Sequence, residues 1–227
     1  MGEGGIVFIF ILFVLLIIGG AIFAAIAARR RRNALFELAA RLGLNFSSGN
    51  DYELADRFGF LDKLAQGSNR YVCNVISGNY RQNQVLVFDY HYETHSTDSN
   101  GHTQTHHHYF SCFILLLPTN FPELKITHEG LFSKIAQALG YEDIDFESAE
   151  FSRTFCVRSK DRKFAYDVCN AQMMEYLLAN RDLSLEIEGP ALALAFDTRL
   201  SAAEIESNLK RLLEIRLRLP EYLFTKV

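Results

Sequence analysis

The sequence predicts an α+β fold: an N-terminal transmembrane helix followed by a domain of antiparallel hairpins packed with helices. Three observations carry this. Residues 6–28 form an uncharged apolar stretch of 23 residues, closed by Arg29, Arg30, Arg31 and Arg32. Strand-like segments then succeed one another across short turns, as in an antiparallel meander rather than in alternating βαβ units. Helical segments are grouped after them, and the last begins on the capping-box pattern Ser201-Ala202-Ala203-Glu204.

The apolar stretch is long enough to cross a hydrocarbon core of ~30 Å at ~1.5 Å per residue. A secretory signal peptide has its positive charge before a shorter apolar run, and here the positive block comes after. N-myristoylation is excluded by Ile6, where a Ser or Thr is needed. The arginines follow the stretch and no Lys or Arg precedes it, so the positive-inside rule places residues 1–5 outside and everything after Arg32 in the cytoplasm. Gly20, Ala24 and Ala28 recur at every fourth position, a small-residue stripe suited to homo-oligomeric helix packing.

The division expected is a short extracytoplasmic terminus at 1–5, a transmembrane helix at 6–28, a basic collar at 29–32 and a cytoplasmic domain at 33–227. A composition break at 118–122 marks two lobes within that domain. A helix over 33–42 ends at Gly43 and continues directly from the membrane helix. A short helix is expected over 52–58. Residues 71–76, 85–95 and 103–117 are rich in Val, Ile, Phe, Tyr and Thr and read as strands, ended by Pro118 and Pro122. Asn100-Gly101 is the strongest turn signal in the chain, fitting a two-residue type I′ loop. Helices are expected over 129–139, 161–168 and 171–179, the last capped by Asn170. A strand is expected over 151–158, and a second hairpin pairs 183–187 with 191–196 around Gly189-Pro190. In the final helix Ile205, Leu209, Leu212 and Leu213 form an apolar stripe that Ile215, Leu217 and Leu219 widen.

The chain has 227 residues and a net charge of −4. The four arginines and Glu3 together carry +3, so the part from Asn33 onward carries −7. So acidic a domain argues against nucleic-acid binding, which needs Lys and Arg to neutralise phosphates. The lipid bilayer and another protein are the partners expected. Cys73, Cys112, Cys156 and Cys169 form no CxxC pair and read as buried reduced thiols, in keeping with a cytoplasmic domain.

Six of the seven histidines lie between residues 91 and 108: His91, His95, His102, His106, His107 and His108. With a two-residue loop at Asn100-Gly101, paired positions sum to 201. His95 then faces His106 and Glu93 faces His108, with His91 on the same side of the strands. No cofactor is the expectation; the alternative is a zinc- or copper-type site with His95 and His106 as the core pair and His108 and Glu93 as third and fourth ligands. The competing reading is a polar hairpin in water, and a pH-responsive hairpin uses the same residues. A register slip turns the set to the other face. In the same register Cys112 opposes Asp89, which raises a cysteine nucleophile as an alternative to a core thiol. Phosphate-loop, dinucleotide-fingerprint, zinc-protease and nucleophile-elbow motifs are absent from the sequence. No catalytic residue is therefore assigned.

The segments LAARLGLNF at 38–46, NVISGNYRQNQVLVFDY at 74–90 and FESAEFSRTFCVRSKDRKFAYDVCNAQMMEYLL at 146–178 resemble a bacterial family of single-pass membrane-anchored proteins of unknown function. That resemblance implies a shared anchor and domain and transfers no active site. The function expected is a non-catalytic, membrane-anchored interaction module. The alternatives are a metal-binding or sensing protein using the hairpin, and an enzyme with an unrecognised site.

Overall fold

The computed structural model describes residues 3–99, 101–128 and 144–225. Its first element, α1 (Glu3–Leu42), is one unbroken 40-residue helix. The apolar segment therefore runs into the domain without a linker. Along residues 8–26 the large apolar side chains are exposed, Phe8, Phe10, Leu16 and Phe23 among them. Further along the same helix Leu35, Leu38 and Ala39 are buried in the domain core. Gly43, at φ +70°, ends the helix, and the Leu44 N–H closes its last turn on the Ala39 carbonyl.

The domain is built on a six-stranded antiparallel sheet: β1 (Asn45–Ser47), β2 (Ser68–Tyr80), β3 (Asn83–Thr97), β4 (Thr103–His128), β5 (Phe155–Ser159) and β6 (Leu185–Ala195). β4 organises it. One edge of β4 pairs with β3 and, further along, with β5; the other edge pairs with β6. The helices are α2 (Tyr52–Arg57), α3 (Ala149–Thr154), α4 (Arg162–Val168), α5 (Ala171–Ala179) and α6 (Ala202–Arg218). A strand has two faces, and both are used here. Val85, Val87, Phe113, Leu115 and Leu194 project into the larger core, with the end of α1 and the helices α3 to α6. Phe88, Tyr90, Phe110, Cys112 and Ile114 project the other way and are covered by Ala55, Phe58, Leu61 and Leu64.

Several expectations are corrected. Pro118 and Pro122 do not end the third strand, because both sit exposed at irregularities of β4, where no ladder hydrogen bond is required of them. The composition break at 118–122 thus falls inside one strand. The 183–196 segment is not a hairpin. Gly189, at φ +53°, bends a single strand whose two halves pair with successive parts of β4. The 151–158 segment begins as helix: Ser148 caps α3 through the Phe151 N–H, and the strand starts at Phe155. Leu217 is 72 % exposed, whereas Ile205, Leu209, Leu212, Leu213, Ile215 and Leu219 are buried. The helix expected over 129–139 lies outside the described residues. The capping box at Ser201 and Glu204 and the Asn170 cap form as predicted.

Arg31 is not part of a free basic collar. Its guanidinium donates to both carboxylate oxygens of Asp89, at 2.5 and 2.8 Å, and to the Leu200 carbonyl. Asp89 also accepts from Asn74 Nδ2 (2.9 Å) and Ser111 Oγ (3.0 Å), and Ser111 Oγ accepts the Leu200 N–H. One buried carboxylate thus ties α1 to β2, β3, β4 and the chain entering α6. Arg29, Arg30 and Arg32 remain exposed.

Candidate functional site

The hairpin register decides which histidines meet. The Gly101 N–H bonds the Asp98 carbonyl, the Asp98 N–H bonds the His102 carbonyl, and Thr97 pairs with Thr103. Gly101 sits at φ +83°. Three residues separate Asp98 from His102, the length of a three-residue hairpin loop. Paired positions therefore sum to 200, one less than the Asn-Gly signal predicts. His95 faces Thr105, Thr94 faces His106, Glu93 faces His107 and Tyr92 faces His108.

This shift separates the predicted ligand set. Glu93 and His95 stay on one face; His106 and His108 lie on the other. There His106 bonds Ser96 Oγ (2.9 Å), and His108 bonds Thr94 Oγ1 (2.8 Å) while stacking on Tyr92. His95 lies between Ser68 Oγ and Thr105 Oγ1. His107, left out by the even-numbered loop, joins His91 and Glu93 instead.

The resulting cluster is well ordered by its neighbours. The Asn69 carbonyl can only accept, so His91 Nδ1 carries the hydrogen of their 3.0 Å bond. His91 Nε2 then presents its lone pair towards His107 Nδ1, 3.1 Å away. His107 Nδ1 is also 3.4 Å from Glu93 Oε1. Ligands ~2.0–2.1 Å from a tetrahedral zinc stand roughly 3.3 Å apart, so these separations fit a shared ion. Asn69 Nδ2 donates to Glu93 Oε1 at 2.6 Å, and Tyr71 stacks on His91 with ring centres 4.3 Å apart. Such outer partners fix ring orientation and tautomer. Burial holds the His91 imidazole below its ordinary range.

The local chain conformation that builds this comes from β2. Its pairing with β3 is irregular between Ser68 and Tyr71, where Asn69 has φ +47°. That bulge brings both the Asn69 carbonyl and its amide to the cluster. Gly67, at φ +64°, lies so close to β3 that an added Cβ would meet the Glu93 carbonyl oxygen at 2.3 Å. Neither Asn69 nor Tyr71 was legible from the sequence as a site residue. His107 would have been, had the loop been counted with an odd number of residues.

A second feature is a cleft of about 640 Å³ on the other face of the sheet, lined by Leu61, Cys112, Lys125, Leu185, Glu186 and Ala193 among others. Lys125 pairs there with Asp62, with Glu123 at 2.7 Å and with Glu186 at 3.5 Å. Burial alone would lower the Lys125 ammonium, but the bonds to Asp62 and Glu123 and the Glu186 charge hold it above its ordinary range. Burial pushes the Glu186 carboxyl up to about 7, against the opposing effects of the Asp62 N–H and of Lys125. Cys112 opposes Phe88, not Asp89, whose cross-strand neighbour is Ser111. The thiol is fully buried and pushed far up by that burial, which removes the nucleophile reading.

No protein-family model matches the chain, and no curated protein matches it. Among solved structures it is similar to the mycobacterial trehalose monomycolate transport factor A, TtfA, with a TM-score of 0.60 at 14 % identity. The match covers 84 % of this chain and 95 % of that one, and it concerns the fold.

Proposed function

We propose that the protein is a membrane-anchored, non-catalytic module: the apolar half of α1 crosses the cytoplasmic membrane once, and the α+β domain on the cytoplasmic side binds another protein or a membrane component. The observation that carries this reading is the unbroken α1, exposed along its apolar half and buried in the domain along its other half. Large apolar side chains exposed on every side of a helix need lipid around them. Arg29, Arg30 and Arg32 stay exposed beside that segment, which favours the cytoplasmic side for the domain. The solved structure with a similar fold is that of a transport factor, which agrees with a non-catalytic role. The membership suggested by the 38–46, 74–90 and 146–178 segments belongs to the same reading, as does self-association through Gly20, Ala24 and Ala28, whose surfaces are exposed. A reporter fused at the C-terminus tests the topology: activity only in the cytoplasm is expected, and activity outside overturns it.

A second reading rests on a separate observation, the convergence of His91, Glu93 and His107. The cluster binds zinc through His91 Nε2, His107 Nδ1 and a Glu93 carboxylate oxygen, leaving a fourth position open, as in non-structural zinc sites. Titration of the purified full chain with zinc tests it. Stoichiometric heat at micromolar metal is expected, and a flat titration ends the proposal.

A further inference from the structure

The direction of the hairpin relative to α1 follows from the pairing already described. α1 ends at Leu42 and turns at Gly43 into β1, which runs back along β2, with Asn45 opposite Ser77 and Ser47 opposite Val75. Leu44 packs against Gly78, while Arg31, further back on the helix, meets Asp89, the cross-strand partner of Cys73. From Arg31 to Leu44, therefore, α1 advances in the same direction as β2 and opposite to β3. The eight residues of β3 beyond Asp89 run back past Arg31 towards the apolar half of the helix.

The lengths make this consequential. Eight strand residues cover ~26 Å at ~3.3 Å each. Arg31 lies only three positions, ~4.5 Å of helix, from Ala28 at the end of the apolar stretch. Side chains alternate along a strand, so Asp89, His91, Glu93 and, across the pair, Tyr109 and His107 share the face on which α1 lies. That face carries Tyr109, 37 % exposed, with the Arg199 guanidinium 4.7 Å above its ring, and the half-exposed His107. Tyrosine and arginine beside a transmembrane segment are the composition of a membrane–water interface. A hairpin of His, Thr, Ser and Gln cannot enter hydrocarbon.

We propose that the β3–β4 hairpin is inclined to α1, so that its polar tip stays out of the hydrocarbon and lies in the phospholipid headgroup layer, its α1-side face contacting lipid phosphates through Arg199 and Tyr109. It is a second membrane contact, which orients the domain around the axis of its anchor. The inference rests on the reading of α1 as a membrane span.

The test uses the full chain with Cys73→Ser, so that the remaining cysteines are buried. A fluorophore is attached through Ser99→Cys at the hairpin tip or, as the distant reference, through Lys210→Cys on α6. Each protein is placed in nanodiscs of phosphatidylcholine and phosphatidylglycerol that contain a headgroup-nitroxide lipid. Several-fold stronger quenching at position 99 than at 210 is expected. Equal or weaker quenching at 99, in chains that co-elute with the discs, overturns the hairpin contact while leaving the anchor intact. Chains that do not enter the discs overturn the anchor itself. Since the nitroxide is carried by the lipid headgroup, quenching at 99 reports lipid and not a protein partner.

Discussion

Arg31 and Asp89 are joined side by side, Nη1 to Oδ2 at 2.5 Å and Nη2 to Oδ1 at 2.8 Å, with Asp89 almost wholly buried. The pair sits where the exposed apolar half of α1 gives way to its buried half, so it holds the helix and the sheet in one orientation. Removing one partner of a buried pair leaves the other charge uncompensated, at a cost of about 3–5 kcal/mol. Arg31→Ala is expected to destabilise the domain by about that amount, and Arg30→Ala, at an exposed position, by less than about 0.5 kcal/mol. Chemical denaturation of the full chain in detergent micelles distinguishes them. Equal effects would mean that the four arginines act only as a collar.

The proposed zinc site distinguishes adjacent histidines. His107→Ala is expected to abolish it, while His106→Ala, on the opposite face, leaves it intact. Asn69→Ala, which removes the amide from Glu93, weakens affinity by about ten- to a hundredfold, the usual effect of an outer-shell partner. Loss with His106→Ala and retention with His107→Ala would instead support the register that sums to 201.

Gly67 holds the base of the hairpin against β3. Its positive φ and the 2.3 Å approach to the Glu93 carbonyl leave no room for a methyl group. Gly67→Ala is expected to cost at least about 2 kcal/mol, from left-handed strain of ~1–2 kcal/mol together with the clash. Thermal unfolding of the full chain in detergent measures it, and an unchanged midpoint refutes the close approach.

Glu186 gives the cleft a pH dependence with a definite sign. Its folded-state carboxyl is raised from 4.5 to about 7, so between these values the folded chain holds a proton that the unfolded chain has released. The contribution to stability is complete below about pH 4.5 and is lost as pH rises through about 7. Glu186→Gln keeps an oxygen acceptor for the Asp62 N–H and removes the titration. The expected outcome is a flatter stability profile over that range than in the parent chain.

The stripe on α6 is unequal. Leu209→Ala removes a buried side chain and is expected to cost about 2–5 kcal/mol, whereas Leu217→Ala, at an exposed position, stays within about 0.5 kcal/mol. Comparable losses at both would place a further surface against Leu217.

The sequence by itself determined the features with short-range physical causes. The membrane-length helix follows from 23 uncharged apolar residues, its continuation to Leu42 from helical spacing, and the caps at Ser201 and Asn170 from side chains that satisfy free N–H groups within one turn. What the tertiary structure alone decided depends on partners distant in the chain. The prolines of β4 and Gly189 of β6 read locally as strand ends and as a turn, but pairing along one shared strand absorbs both as irregularities. The histidine cluster turned on a single residue of loop length. A period of two converts a one-residue change in register into a change of face, which replaced His106 and His108 with His107 and joined it to His91 and Glu93. Arg31 shows the same limit: in sequence it is one of four identical arginines, and only the fold places a buried carboxylate from β3 opposite it.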